Sequence, residues 1–113
     1  HDGAYAVTAQ KTMPVPVEHL AAAFLDADVR RAWTRGFELE LRTATPGRTA
    51  HFDVVGDTSR VHVVFDRLGE SKSRVSVEHA RIDDPALAQR RKVAWRDALA
   101  LLAQKLEGGD RDA

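Results

Sequence analysis

Apolar and polar residues alternate over residues 5–13, with Val7, Ala9 and Met13 on one side and Thr8, Gln10 and Thr12 on the other. A period of two is that of a half-buried strand. Lys11 interrupts the apolar side, which a strand edge or a cavity mouth would tolerate. Pro14 and Pro16 close the strand, and Pro16 suits the first turn of a helix running through Leu20 to Phe24. A second short helix is predicted from Asp28 to about Trp33, capped by Asp26 or Asp28 and stopped by Gly36.

From 37 to 82 the alternation returns in four runs: Phe37-Leu39-Leu41, Ala50-Phe52-Val54, Val61-Val63-Phe65 and Val75-Val77-His79. Turn-forming residues separate them at Pro46-Gly47, Gly56-Asp57 and Gly69. Folding about Pro46-Gly47 sets Leu41 against Phe52 and Leu39 against Val54. Folding about Gly56-Asp57 sets Phe52 against Val61 and Ala50 against Val63. Both registers keep apolar with apolar, as a sheet buried on one face requires. The third hairpin matches faces only with an odd loop, such as three residues with Gly69 in the left-handed region.

The last segment reads as one long helix over 85–107. Asp84-Pro85 supplies the cap and first turn, and Gly108 the expected stop. Trp95, Leu99, Leu102 and Leu106 fall within about 40° of one another at helical spacing, with Ala88 and Ala98 close by. The stripe would lie across a sheet face. The predicted order is therefore β-α-α-β-β-β-β-α, an α+β fold with an antiparallel meander of about five strands wrapped on a long C-terminal helix.

Composition narrows the function. The chain has 113 residues, enough for one domain over 1–113 with its core at about 5–108. Lys plus Arg and Asp plus Glu are each 17, a formal net charge of zero, which argues against a dedicated nucleic-acid binder. Cysteine is absent, so disulfides, thiolate metal sites and cysteine nucleophiles are excluded. No apolar run approaches the roughly 20 residues of a membrane span, and no signal-peptide pattern stands at the start. A soluble, cytoplasmic protein without membrane insertion is expected.

Several phrases together resemble the SRPBCC superfamily, also called START-like or Bet v 1-like, and within it the bacterial branch related to activators of the heat-shock ninety ATPase. Val15-Pro16-Val17-Glu18-His19-Leu20 resembles that group's apolar-Pro-x-Glu entry from strand to helix. Leu25-Asp26 through Val29-Arg30-Arg31-Ala32-Trp33 resembles its second short helix, Lys72 to His79 followed by Ile82 its last strand, and Trp95 to Gly108 its C-terminal helix. The resemblance covers about residues 5–108. It implies a helix-grip fold, an antiparallel sheet curled around the C-terminal helix, often with a cavity between. Typical members have about six or seven strands, whereas this pattern yields five, so any cavity should be small, shallow or open on one side.

Candidate chemistry is sparse. His79 shares the apolar side of the last strand with Val75 and Val77. It reads either as a pocket histidine that binds a ligand or acts as a base, or as a structural histidine bonded to backbone near the long helix. The second is favoured because no acid or nucleophile is in phase with it. His51 and His62 pair across two strands beside Asp53 and Arg60, a spacing that could hold a divalent metal. They lie on the polar face, and Arg60 already answers Asp53, so no metal site is assigned. Arg90-Arg91-Lys92 and Arg96 spread around the last helix rather than forming one basic stripe. Arg91, close to the Trp95 seam, either pairs with a ligand carboxylate or packs its stem on the sheet and reaches outward. Ser59, Ser71, Ser73 and Ser76 have no patterned His-Asp partner, and no glycine-rich phosphate loop, nucleophile elbow or zinc motif is present.

The leading expectation, carried mostly by the resemblance, is a small apolar ligand held between sheet and C-terminal helix. Its wall would be drawn from Trp33, Phe52, Phe65, Val77, Trp95 and Leu99, with His79 or Arg91 orienting its polar end. The rival is a protein-interaction or self-associating module that presents an open sheet edge or apolar patch to a partner or a second copy. A cyclase- or hydrolase-like enzyme is the least favoured, since only His79 could serve as acid or base. No cofactor is expected. A sealed cavity would favour the first reading, and a filled core with an exposed apolar patch the second.

Overall fold

The computed structural model describes residues 5–35 and 37–112, with side chains as far as Glu107. Strand β1 (Tyr5–Met13) is followed by helices α1 (Val17–Leu25) and α2 (Ala27–Trp33). Then come β2 (Leu39–Thr45), β3 (Thr49–Val54), β4 (Arg60–Gly69), β5 (Lys72–Ile82) and helix α3 (Pro85–Asp112). The five strands form one antiparallel sheet in the order β1-β5-β4-β3-β2. Lys11 is exposed on edge strand β1, which relieves its place on the apolar side.

The helix starts follow from local chemistry. The Asp26 carboxylate accepts from the backbone N–H of Asp28 at 2.9 Å and of Val29 at 3.2 Å, capping α2. Asp84 does the same for α3 through Ala86 and Leu87, with Pro85 in the first turn. Gly108 does not stop α3, which runs to Asp112. Glycine lowers helix propensity but its backbone still fits the helical region. Gly36, the expected stop of α2, lies outside the described residues.

The meander takes the expected registers. Leu41 pairs with Phe52, Leu39 with Val54, Phe52 with Val61 and Ala50 with Val63. The first run differs at both ends. Phe37 precedes β2 and packs its ring on Trp95, 4.9 Å between centroids, while Leu41 is 38% exposed beside a register shift. The third hairpin corrects the expected device but keeps its parity. Gly69 pairs with Lys72 across a two-residue turn, and its backbone is not left-handed. A bulge between Arg67 and Gly69 supplies the odd residue and sets Phe65 opposite Val75, Val63 opposite Val77 and Val61 opposite His79.

A third irregularity, where β1 meets β5 between Tyr5 and Val7, accompanies Arg81 at φ 62°. It lets Ile82 turn inward three residues after His79, both fully buried. The core gathers Met13, Leu20, Phe24 and Trp33 from one side of the chain. It adds Phe52, Val61, Val63, Val75 and Val77 from the sheet, and Trp95, Leu99 and Leu102 from α3, each at most 2% exposed. Arg30 is buried among them at 6%. Its guanidinium donates to the carbonyls of Phe24 at 2.7 Å and Leu39 at 3.2 Å and lies over the Phe52 ring. It thus ties α1, α2 and β2 together.

Candidate functional site

One hydrogen-bonded chain of side chains links the β3–β4 turn, β5 and α3 and runs through buried Ser59 and His79. Gly56, at φ 92°, bends the turn so that Asp57 accepts from the Ser59 backbone N–H at 2.7 Å and from the Ser59 hydroxyl. Ser59 Oγ lies 2.7 Å from His79 Nε2. On the other side of the imidazole, Trp95 Nε1 donates to His79 Nδ1 at 3.0 Å. Arg91 closes the far end, donating to the second Asp57 oxygen at 3.2 Å, with its guanidinium over the Phe37 ring.

Chemistry fixes the direction of this chain. An indole N–H can only donate, so His79 Nδ1 must accept and the ring is neutral with its proton on Nε2. Nε2–H then donates to Ser59 Oγ, and the Ser59 hydroxyl donates to Asp57. Burial, helped by the nearby Arg91 charge, pushes the His79 pKa down to about 4 against the opposing pull of Asp57. Burial alone would push the Asp57 carboxyl up, but two hydrogen bonds from Ser59 and the charge of Arg91 outweigh it and hold the group below its ordinary value.

Ser, His and Asp are thus in contact, but in an order unlike a hydrolytic triad. There the serine gives its proton to histidine, which leans on the carboxylate. Here His79 offers Ser59 a proton, and Asp57 is held ionised as a weak base. The chain stitches turn, strand and helix together and leaves the serine unactivated.

The expected wall residues divide between settings. Phe52, Phe65, Val77, His79, Trp95 and Leu99 are all buried, at 0–5% exposure; His79 and Trp95 join β5 to α3, while Phe52 and Phe65 pack against Phe24 of α1. Trp33 donates its indole N–H to the Ala23 carbonyl at 3.1 Å, and its ring meets Phe24 at 4.6 Å. Arg91 neither snorkels nor faces an apolar cavity, but pairs with Asp57. His79 is bonded to side chains rather than backbone. The partnership of Ser59 with His79 and Asp57 escaped the sequence reading, because Ser59 belongs to a turn. Its only signal was the Gly-Asp-x-Ser spacing, which forms a side-chain-capped turn.

Clefts open at the margins. A polar one of about 820 Å³ lies at the β3–β4 turn, lined by Glu40, Asp53, Asp57, Arg60, Arg81 and Asp83 among others. A groove of about 630 Å³ runs between α2 and α3 over Trp33, Val93, Ala94, Ala98 and Leu101, with Arg35, Gln89, Arg90 and Asp97 at its rim. A smaller opening of about 270 Å³ separates β1 from α3 beside Leu99. On the outer sheet face the His51 and His62 rings stack in parallel 4.4 Å apart, and Asp53 is held by Arg42 and Arg60. Among the described residues no group of three or more His, Cys, Asp or Glu is arranged to hold a metal ion. No described helix is long and apolar enough to cross a membrane.

This architecture is a helix-grip fold, and solved structures share it at low identity. The Aha1 dimer from Colwellia psychrerythraea superposes with a TM-score of 0.76 at 12% identity, over 91% of this chain and 96% of that one. CalU16 from Micromonospora echinospora gives 0.77 at 17% identity, over 91% and 74%. An HSP90 activator from Plasmodium falciparum gives 0.74 at 19% identity, over 92% and 96%. At these identities the likeness is one of fold. No family model and no curated protein matches the chain.

Proposed function

We propose that this protein works by surface contact with another protein, as a non-catalytic module of helix-grip fold. The observation that carries the reading is where apolar surface is filled and where it is open. Between the sheet and the helices that cover it, Phe52, Val77, Trp95 and Leu99 are packed to 2% exposure or less. Over the outer side of α3, the groove above Trp33 is open and apolar. A ligand between sheet and helix would have to displace well-packed side chains, a cost that apolar burial must first overcome. The His79–Ser59–Asp57 chain lends no support to acyl transfer, since its protons run away from the reactive serine geometry. Among the similar folds, one is a dimer and one an HSP90 activator, descriptions that fit contact with other proteins.

The test is an amide-resolved NMR titration with fatty acids, sterols, flavonoids and aromatic acids. The amides of Phe52, Val77, His79 and Trp95 should stay still throughout. Saturable shifts clustered there would overturn the reading in favour of a ligand carrier.

A further inference from the structure

Val93 on α3 is 44% exposed at the α2–α3 groove, an apolar side chain left open to water. Two exposed charges flank it on the same helix, Arg90 about one turn before and Asp97 about one turn after. Among the described residues neither is in an ion pair. Two helical turns separate them, about 10 Å of rise, so they cannot satisfy each other.

We propose that the occupant of this groove is a second copy of the chain, with the two α3 helices antiparallel about a two-fold axis between Val93 and Ala94. In that register Arg90 of each copy stands level with Asp97 of the other, so symmetry makes the charge pairing twice over. Val93 comes level with the other copy's Ala94, and Gln89 with its Ala98. The small Ala94 and Ala98 let the helices approach closely over the groove. A formal net charge of zero adds no long-range repulsion between copies. Charge complementarity selects this occupant: the arrangement of one positive and one negative group, equidistant from an apolar centre, is its own complement. One helix face buries less than a standard interface, so the pairing is weak and reversible. This inference rests on the surface-contact reading and names its partner.

Sedimentation equilibrium on the full chain, from about 10 µM to about 1 mM, is the test, run on wild type, Arg90→Asp, Asp97→Arg and an equimolar mixture of the two variants. Wild type should dimerise reversibly. Each variant alone sets like charges level with one another and should lose about tenfold or more in self-affinity. The mixture should regain it, because each mixed dimer again holds two opposite-charge pairs. Both sites are exposed, and a circular dichroism spectrum checks that the variants fold. A wild type that stays monomeric, variants that associate as tightly as wild type, or a mixture no better than its components would each overturn self-pairing. So would apolar ligands that shift the Ala94 and Ala98 amides of a monomeric wild type. None of these outcomes touches the filled-core argument, which stands or falls on the amides of Phe52, Val77, His79 and Trp95.

Discussion

The indole N–H of Trp95 donates to Nδ1 of His79 at 3.0 Å, and that bond decides where the imidazole carries its proton. From this one donor the next steps follow: Nε2–H donates to Ser59 and the Ser59 hydroxyl to Asp57, whose other oxygen accepts from Arg91. A histidine at 0% exposure is thereby satisfied on both nitrogens without charge.

Trp95→Phe keeps most of the ring and removes the donor. His79 Nδ1 is left buried without its partner, at a cost of about 1–3 kcal/mol in urea unfolding. The nitrogen-15 shifts of the imidazole should show the fixed tautomer loosening and the His79 pKa rising. Unchanged shifts in a folded variant would contradict the assigned direction.

Stability should depend on pH through His79. An unfolded imidazole takes up its proton as pH falls through about 6.5, whereas the buried one holds out to about 4. Between those values the unfolded state binds one more proton, so stability rises with pH across the window. The contribution is complete above the unfolded value, is lost on acidification toward the folded value, and amounts to about 3 kcal/mol. The lowered Asp57 pKa adds a separate loss below its ordinary value of 3.8. Urea titrations between about pH 4 and pH 7 check this, and His79→Gln should flatten the profile.

Arg30→Met keeps length and apolar contact but removes the donors to the Phe24 and Leu39 carbonyls. Two buried acceptors lose their partners where α1, α2 and β2 meet, and unfolding free energy should fall by about 2–4 kcal/mol. Burial, reinforced by the neighbouring Arg31 charge, pulls the Arg30 pKa below its ordinary value, and the side chain remains a cation. A melting temperature equal to wild type would refute the bolting role.

Two glycines separate backbone strain from crowding. Gly56 is at φ 92° with open space where a Cβ would stand, so Gly56→Ala should cost about 1–2 kcal/mol from conformation alone. Gly69 has no positive φ, and an added Cβ would meet only the Lys72 Cβ at 3.8 Å. Gly69→Ala should be neutral or slightly stabilising. Equal penalties at both positions would contradict the bulged form of the β4–β5 hairpin.

Much of the sheet was legible because strand register obeys arithmetic. Once Gly56 fixed a turn, the period of two dictated Phe52 against Val61 and even His51 against His62. The α3 stripe was legible for the same reason, as Trp95, Leu99 and Leu102 repeat at helical spacing and are buried. Arg91 and Asp57 could not be read this way. They lie 34 residues apart, on a helix and a turn that no periodicity relates, and meet only because the sheet brings the turn under α3. Ser59 was opaque for a related reason: a turn residue has no face until the turn is folded. Nothing in the pattern sets Arg30 apart from its neighbour Arg31, and only the carbonyls of Phe24 and Leu39 explain its burial.

The β4–β5 bulge makes Leu68 a counter rather than a contact. It is 41% exposed and sits where Arg67 pairs with Ser73 and Gly69 with Lys72, the one residue on β4 with no opposite number there. Its identity should hardly matter, while its escape from the ladder sets the reading frame of the strand that follows. Were Leu68 to pair with Ser73 above the same two-residue turn, Phe65 would meet Ser76, Val63 would meet Glu78 and Val61 would meet Ala80, and Val75, Val77 and His79 would point to water. Deleting Leu68 and keeping the turn leaves Gly69 on Lys72 and Arg67 on Ser73, so the core pairs survive and only the local kink of the bulge is lost. A position that tolerates both substitution and loss leaves a distinctive evolutionary trace: the segment from 60 to 82 can shorten by one residue at 68 without turning its buried face outward.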